Sequence, residues 1–378
     1  MSRIDYETDI TKHFVRTDGC LDAFRYRNRK IKSAIRGKRR HVPISYFTFC
    51  AASAIDVFML EQNGLIARER RSGRLEHVYF CECDEVEFSK ISNLIGSADA
   101  GFMEKFEDFV LFEDNDTTKG KDGFDDREKV SSDPSIRRKF SCKALQRRFI
   151  ELFPFDVLNL DFYGNLFPPR AHVYSPLLQS IKRIFEWQTR RSSLDDHKCE
   201  GFTVFLTAYV NRADLNVQAV ENLALTVRSN LQRFPELAQA FESRFLHRDP
   251  ELLIEQDFPV FFSIILPKIV ANIAIEHGWI GRHRKIYIYS RPEFGTYYMM
   301  TSIVCYEKID FRGCLPGPPR DRKFERYYVP EMTSVFSHKP LNVNDAIVRG
   351  GDNLRLQLSA DLTGIVAFRD NLIASLGE

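Results

Sequence analysis

Apolar residues along this chain alternate between two spacings. Residues 43–52 (PISYFTFCAA) form a short aromatic and β-branched run, the pattern of a strand, and the following IDVFMLEQNGLI repeats its apolar residues at helical spacing until Asn63 and Gly64 stop it. HVYFCECDE then alternates apolar with polar and ends in acids, EFSKISNLIG reads as a short helix closed by Gly96, and residues 109–112 (FVLF) read as a third strand. Further on, KALQRRFIELF is amphipathic, FDVLNLDFYG supplies a fourth strand, and residues 176–191 form a helix with Leu177, Leu178, Ile181, Ile184 and Phe185 on one face. GFTVFLTAYV is the fifth strand. Helical spacing returns around 215–245 and 259–277, and KIYIYS and TYYMMTSIVCYEK then flank the turn RPEFG as a hairpin. Strand–helix alternation with this ending predicts an α/β fold: a mostly parallel sheet with helices on both faces, finished by an antiparallel hairpin.

The same pattern divides the chain. Residues 1–42 read as a basic, helical N-terminal segment and 43–310 as the α/β domain. Residues 114–135, rich in Asp, Lys, Gly, Ser and Thr, have little to bury and read as a mobile insertion. From 311 to 378 the expectation is an extended arm (DFRGCLPGPPRDRKFERYYVPEM, four prolines) and a last amphipathic helix, LQLSADLTGIVAFRDNLIASL. That helix is expected to pack back on its own core, and the arm to wrap a protein partner.

Composition adds limits. At 378 residues and 44% hydrophobic, the chain can bury a sizeable core. No stretch offers the roughly 20 uninterrupted apolar residues of a spanning helix, and the N-terminus lacks a signal-peptide pattern, so no membrane association and a cytoplasmic location are expected. The eight cysteines are scattered and read as buried thiols rather than a disulfide framework. Cys81-x-Cys83 has no second pair at zinc-site spacing, and no G-x-S-x-G or Walker A string occurs, so hydrolase and NTPase readings lose their usual support. Net charge is only +2, but residues 23–40 carry nine basic residues and no acid. Within that 25–40 stretch, Arg25, Arg27, Arg29 and Lys30 are candidates to hold RNA or DNA phosphates, the alternative being a solvated helix that packs Phe24 and Ile31 inward.

A doubly wound chain ending in an antiparallel pair, with an acid at the end of its second strand and LDFYG at the end of its fourth, resembles the class I S-adenosylmethionine-dependent methyltransferases, a Rossmann-like superfamily. The resemblance implies that the loop at Cys50, Ala51 and Ala52 approaches the cofactor, with alanine where the family has glycine. It implies that Glu82 or Asp84 accepts hydrogen bonds from the ribose diol and that Glu113 or Asp114 lies by the adenine. Asp161-Phe162-Tyr163-Gly164 is similar to the Asp-Pro-Phe-Gly and Asp-Pro-Pro-Tyr motifs of enzymes that methylate exocyclic amines of nucleic-acid bases, although the proline is missing. By that likeness Asp161 orients the amine and Phe162 or Tyr163 stacks the base. The resemblance implies transfer of a methyl group from S-adenosylmethionine to a nucleic-acid amino group. Two other readings stay open: a catalytically degenerate scaffold or binding subunit of a multiprotein assembly such as a bacterial defence complex, and an enzyme using another nucleotide in the same crevice.

Overall fold

The computed structural model describes residues 9–34, 43–50, 53–112, 134–162, 166, 175–192, 200–211, 216–245, 249–290, 298–309 and 320–376. Their centre is one eight-stranded sheet. Its strands are β1 (Tyr46–Thr48), β2 (Val78–Cys81), β3 (Gly101–Phe102), β4 (Val157–Asp161), β5 (Gly201–Val210), β6 (Trp279–Ser290), β7 (Tyr298–Lys308) and β8 (Leu341–Asn342), in the order β3-β2-β1-β4-β5-β7-β6-β8. Pairing is parallel from β3 through β5, β7 runs antiparallel to both β5 and β6, and β8 is parallel to β6. Thus β7 alone opposes the rest.

Period-two alternation sends neighbouring strand residues into two cores. Phe47, Leu158, Leu160, Phe202, Val204, Leu206 and Tyr306 face one core. Its helices are α5 (Phe106–Val110), α6 (Pro134–Glu151), α7 (Pro176–Ser192), α8 (Val217–Arg233), α9 (Pro235–Phe245), α10 (Pro250–Gln256), α11 (Phe258–Glu276) and α12 (Arg320–Ser337). Phe149 is its aromatic hub, with ring centroids of Phe47, Phe102, Phe109 and Phe153 between 4.9 and 5.4 Å away. Tyr46, Val157, Phe205, Tyr287 and Ile303 face the opposite core. There the cover is α1 (Ile10–Val15), a π-helical turn at Arg16–Cys20, α2 (Leu21–Ala34), α3 (Ile55–Gln62), α4 (Glu85–Ile95) and α13 (Val343–Leu376), the last broken at Gly351, whose φ of 64° is left-handed. α11 is apolar around its whole circumference and long enough to cross a membrane, but most of it is buried in the fold, consistent with a central core helix.

Two expectations need correction. Residues 109–112 are not a strand: 106–110 are helical, because Phe106, Phe109 and Val110 are buried at i, i+3 and i+4, and the third strand is Gly101–Phe102. Residues 320–337 are a helix, α12, rather than extended chain; it buries Tyr328, Met332, Val335 and Phe336 and tolerates Pro330. The last helix does pack back on its own core, as expected: Leu358 and Ile365 are buried, and Arg369 donates to the Ser53 carbonyl at 3.5 Å. The insertion at 114–135 lies outside the described residues except for its last two.

Candidate functional site

Open parallel sheets present ligands at the carboxyl ends of their strands. In this sheet that edge carries a buried polar cluster beneath α1. Asp161, the last residue of β4, is 7% exposed, and its Oδ2 receives the Lys12 ammonium at 2.6 Å. α1 presents Lys12 from its first turn, where Asp9 caps the helix by accepting from Thr11 N. Arg16 follows one turn later, also buried. Asp56 faces them from α3: its Oδ2 accepts from Tyr46 Oη at 2.7 Å and Thr48 Oγ1 at 2.9 Å. Asn159 Nδ2 donates to Thr48 Oγ1 at 3.1 Å and more weakly to Asp56 Oδ2 at 3.4 Å. Asp56 Oδ1 is buried with no hydrogen-bond partner among the described residues.

Lys12, Arg16, Asp56, Asn159 and Asp161 line a cavity of about 40 Å³ together with Phe49, Thr207 and Thr301. That is room for a few waters, far below the several hundred Å³ of a nucleotide-sized pocket. Two cations and two carboxylates share the space, so the cluster is charge-balanced by its own side chains. Burial pushes the Tyr46 phenol well above its usual range, with Asp56 adding to the effect. Burial, then Arg16, hold His13 down to about 4, and burial raises the Cys20 thiol to about 12. His13 therefore sits neutral on the buried face of α1 and Cys20 is inert as a nucleophile at neutral pH.

At the end of β2 the two open acids separate. Asp84 caps α4, its Oδ1 accepting from Val86 N at 3.0 Å and Glu87 N at 3.1 Å, while Glu82 Oε1 accepts from Asp84 N at 2.9 Å. Asp84 is committed to the helix, which leaves Glu82, half-buried, as the acid suited to a diol. Asp84→Ala is accordingly expected to lower stability by about 1 kcal/mol through loss of the cap, read as a shift in the urea midpoint.

The remaining predicted residues scatter. Cys50 is buried beside β1; Ala51, Ala52, Glu113 and Tyr163 lie outside the described residues. Just beyond, Ala54 takes φ 46°, a left-handed turn made without glycine. Phe162 is 4% exposed and packs on Phe49 and Phe106 at 5.3 and 6.1 Å, so its ring is engaged in the core and not offered to a base. α2 carries Arg25, Arg27, Arg29 and Lys30 down toward the amino edge of the sheet: Arg27 pairs with Asp156 just before β4 at 2.9 Å, and Arg25 donates to Asn63 past the end of α3. These side chains and Asp161 therefore mark opposite ends of β4, not one site. Lys12, Arg16, Asp56 and Asn159 were missed by sequence reading; the only local signal was an acid or a base inside an apolar stretch.

Among the described residues no group of three His, Cys, Asp or Glu side chains is placed to hold a metal ion. No protein-family model, curated protein or solved structure matches the chain.

Proposed function

We propose that this chain is a methyltransferase-like α/β protein that works as a binding or scaffold subunit rather than as a free-standing methyltransferase. One observation carries the reading: Lys12 of α1 holds Asp161 in a buried ion pair at 2.6 Å. Methylation of an amine at this position would require Asp161 to accept a hydrogen bond from the attacking nitrogen. Here the chain's own ammonium stands in that place, and α1 covers it. Tyr46 and Thr48 similarly engage Asp56, and Asn159 donates to Thr48, so the polar groups of the edge serve one another.

The methyltransferase likeness draws support from the parallel sheet ending in an antiparallel pair and from the acids following β2. The separation of Glu82 from the capping Asp84 favours a second reading, an S-adenosylmethionine-dependent enzyme in which α1 must move aside before a nucleic-acid amine reaches Asp161. Calorimetric titration of S-adenosylmethionine into the full chain distinguishes the two. The scaffold reading expects no binding heat. Micromolar binding that disappears in Glu82→Ala would overturn it in favour of the enzyme.

A further inference from the structure

At the opposite edge of the sheet, α2 and β6 build a second feature. β6 carries an irregularity between His283 and Lys285, where its pairing with β7 shifts by one residue. A bulge adds a residue and re-aims its neighbours. Two basic residues at the irregularity reach the helical segment, Arg284 meeting Asp22 and Lys285 donating to both the carbonyl and the carboxylate of Asp18, while Arg282 meets Glu307 of β7, which also meets Lys30 of α2. Lys285 thereby anchors the π-helical turn to the sheet. Arg282 and Arg284 stay at the surface.

Tyr26 brings Arg284 together with Lys30. The Arg284 guanidinium lies 4.6 Å and the Lys30 ammonium 5.6 Å from the centroid of its ring. Both contacts hold cations in place without neutralising them. The carboxylates present do so only in part: Arg282–Glu307 is close at 3.0 Å, but Lys30–Glu307 is 3.8 Å and Arg284–Asp22 is 3.6 Å, and the side chains of Lys30 and Arg282 are 53% and 67% exposed. Exposed pairs of this kind contribute little and exchange readily for another anion. Arg29, exposed on the same helix three residues after Tyr26, extends the basic surface. Four cations thus stand against the two carboxylates of Asp22 and Glu307.

We propose that this surface binds the phosphate backbone of a nucleic acid. A backbone supplies closely and regularly spaced anions, which suits paired cations mounted on one ring. With a net charge of only +2 for the whole chain, attraction would come from this patch and not from general charge. Because Tyr26 is occupied by its cations, no free base-stacking platform accompanies the patch among the described residues, and binding is independent of sequence. The surface lies away from Asp161, so it requires neither reading of the carboxyl edge.

The test is fluorescence anisotropy with labelled 30-nucleotide RNA and DNA, single- and double-stranded, over a salt series starting near 50 mM. Wild type is expected to bind with a salt slope of about −2 to −3 on a log–log plot, corresponding to roughly three phosphates neutralised. The triple charge reversal Lys30→Glu, Arg282→Glu, Arg284→Glu should weaken binding at least tenfold and flatten the slope. A neutral triple glutamine variant should lie between, and Lys90→Glu on α4 should bind like wild type. Circular dichroism checks that each variant is folded. The RNA and DNA arms tell which backbone is preferred. Absence of binding at low salt, equal binding by the folded triple variant, or binding only to vesicles containing phosphatidylserine would overturn the proposal.

Discussion

Alanine in place of Lys12 is expected to cost about 3–5 kcal/mol of folding stability, because it leaves the Asp161 carboxylate buried without the ammonium beside it. Urea denaturation of wild type and Lys12→Ala gives the difference directly. The double variant Lys12→Met, Asp161→Leu should recover most of it, since two apolar side chains of similar bulk carry no stranded charge. A Lys12→Ala loss below 1 kcal/mol would mean that water reaches Asp161 freely and that α1 is not fastened by this pair. The scaffold reading would lose its main support with it.

The second large effect concerns pH. Glu331 of α12 is 2% exposed and lies 3.8 Å from the equally buried His283 of β6, with Gly281 leaving room for its carboxyl. Burial pushes Glu331 up to about 8 and His283 down to about 3, the neighbouring His338 adding to the second effect. The two therefore face each other uncharged near neutral pH. The Glu331 contribution to stability is complete below about pH 4.5 and is lost as pH rises through about 8, because only the unfolded chain releases the proton in that window. His283 acts at the other end: its contribution is present above about 6.5 and declines as pH falls toward 3. Lys268, held down to about 8 by burial and lying over Tyr328, adds stability above that value.

Glu331→Gln removes one of these and leaves the others in common with wild type. The variant should match wild type near pH 4.5 and exceed it by roughly 3–4 kcal/mol at pH 8. Urea midpoints at pH 4.5, 6.5 and 8 measure the gap. Curves that stay parallel across the range would show that the carboxyl ionises without penalty, and hence that water enters beneath α12.

Much of the architecture was legible because it is written in local periods. β4, β5 and the hairpin of β6 and β7 alternate or run apolar over five or more residues, and Gly96 and Gly278 close helices where the pattern ends. Short elements were harder. β3 has two residues, and the apolar run at 109–112 looked like the missing strand because its helical partner, Phe106, lay outside the window. α12 was misread from its prolines, although its buried face (Tyr328, Met332, Val335) has helical spacing. The site was least legible. Asp161 drew attention as an acid at a strand end, but its partner is 149 residues earlier in sequence, and no local pattern announces such a pairing. Asp56 was hidden for the same reason, since its donors arrive from β1 and β4.

α1 and α13 pack against each other at the carboxyl edge although they lie far apart in sequence. Synthesis reaches α1 first and α13 much later. A nascent chain in which α13 has not yet emerged holds the strands from β1 through β7 but nothing of α13 to press α1 into place. Lys12 and Asp161 would then be last to settle, and the edge would stay open to water until α13 is made.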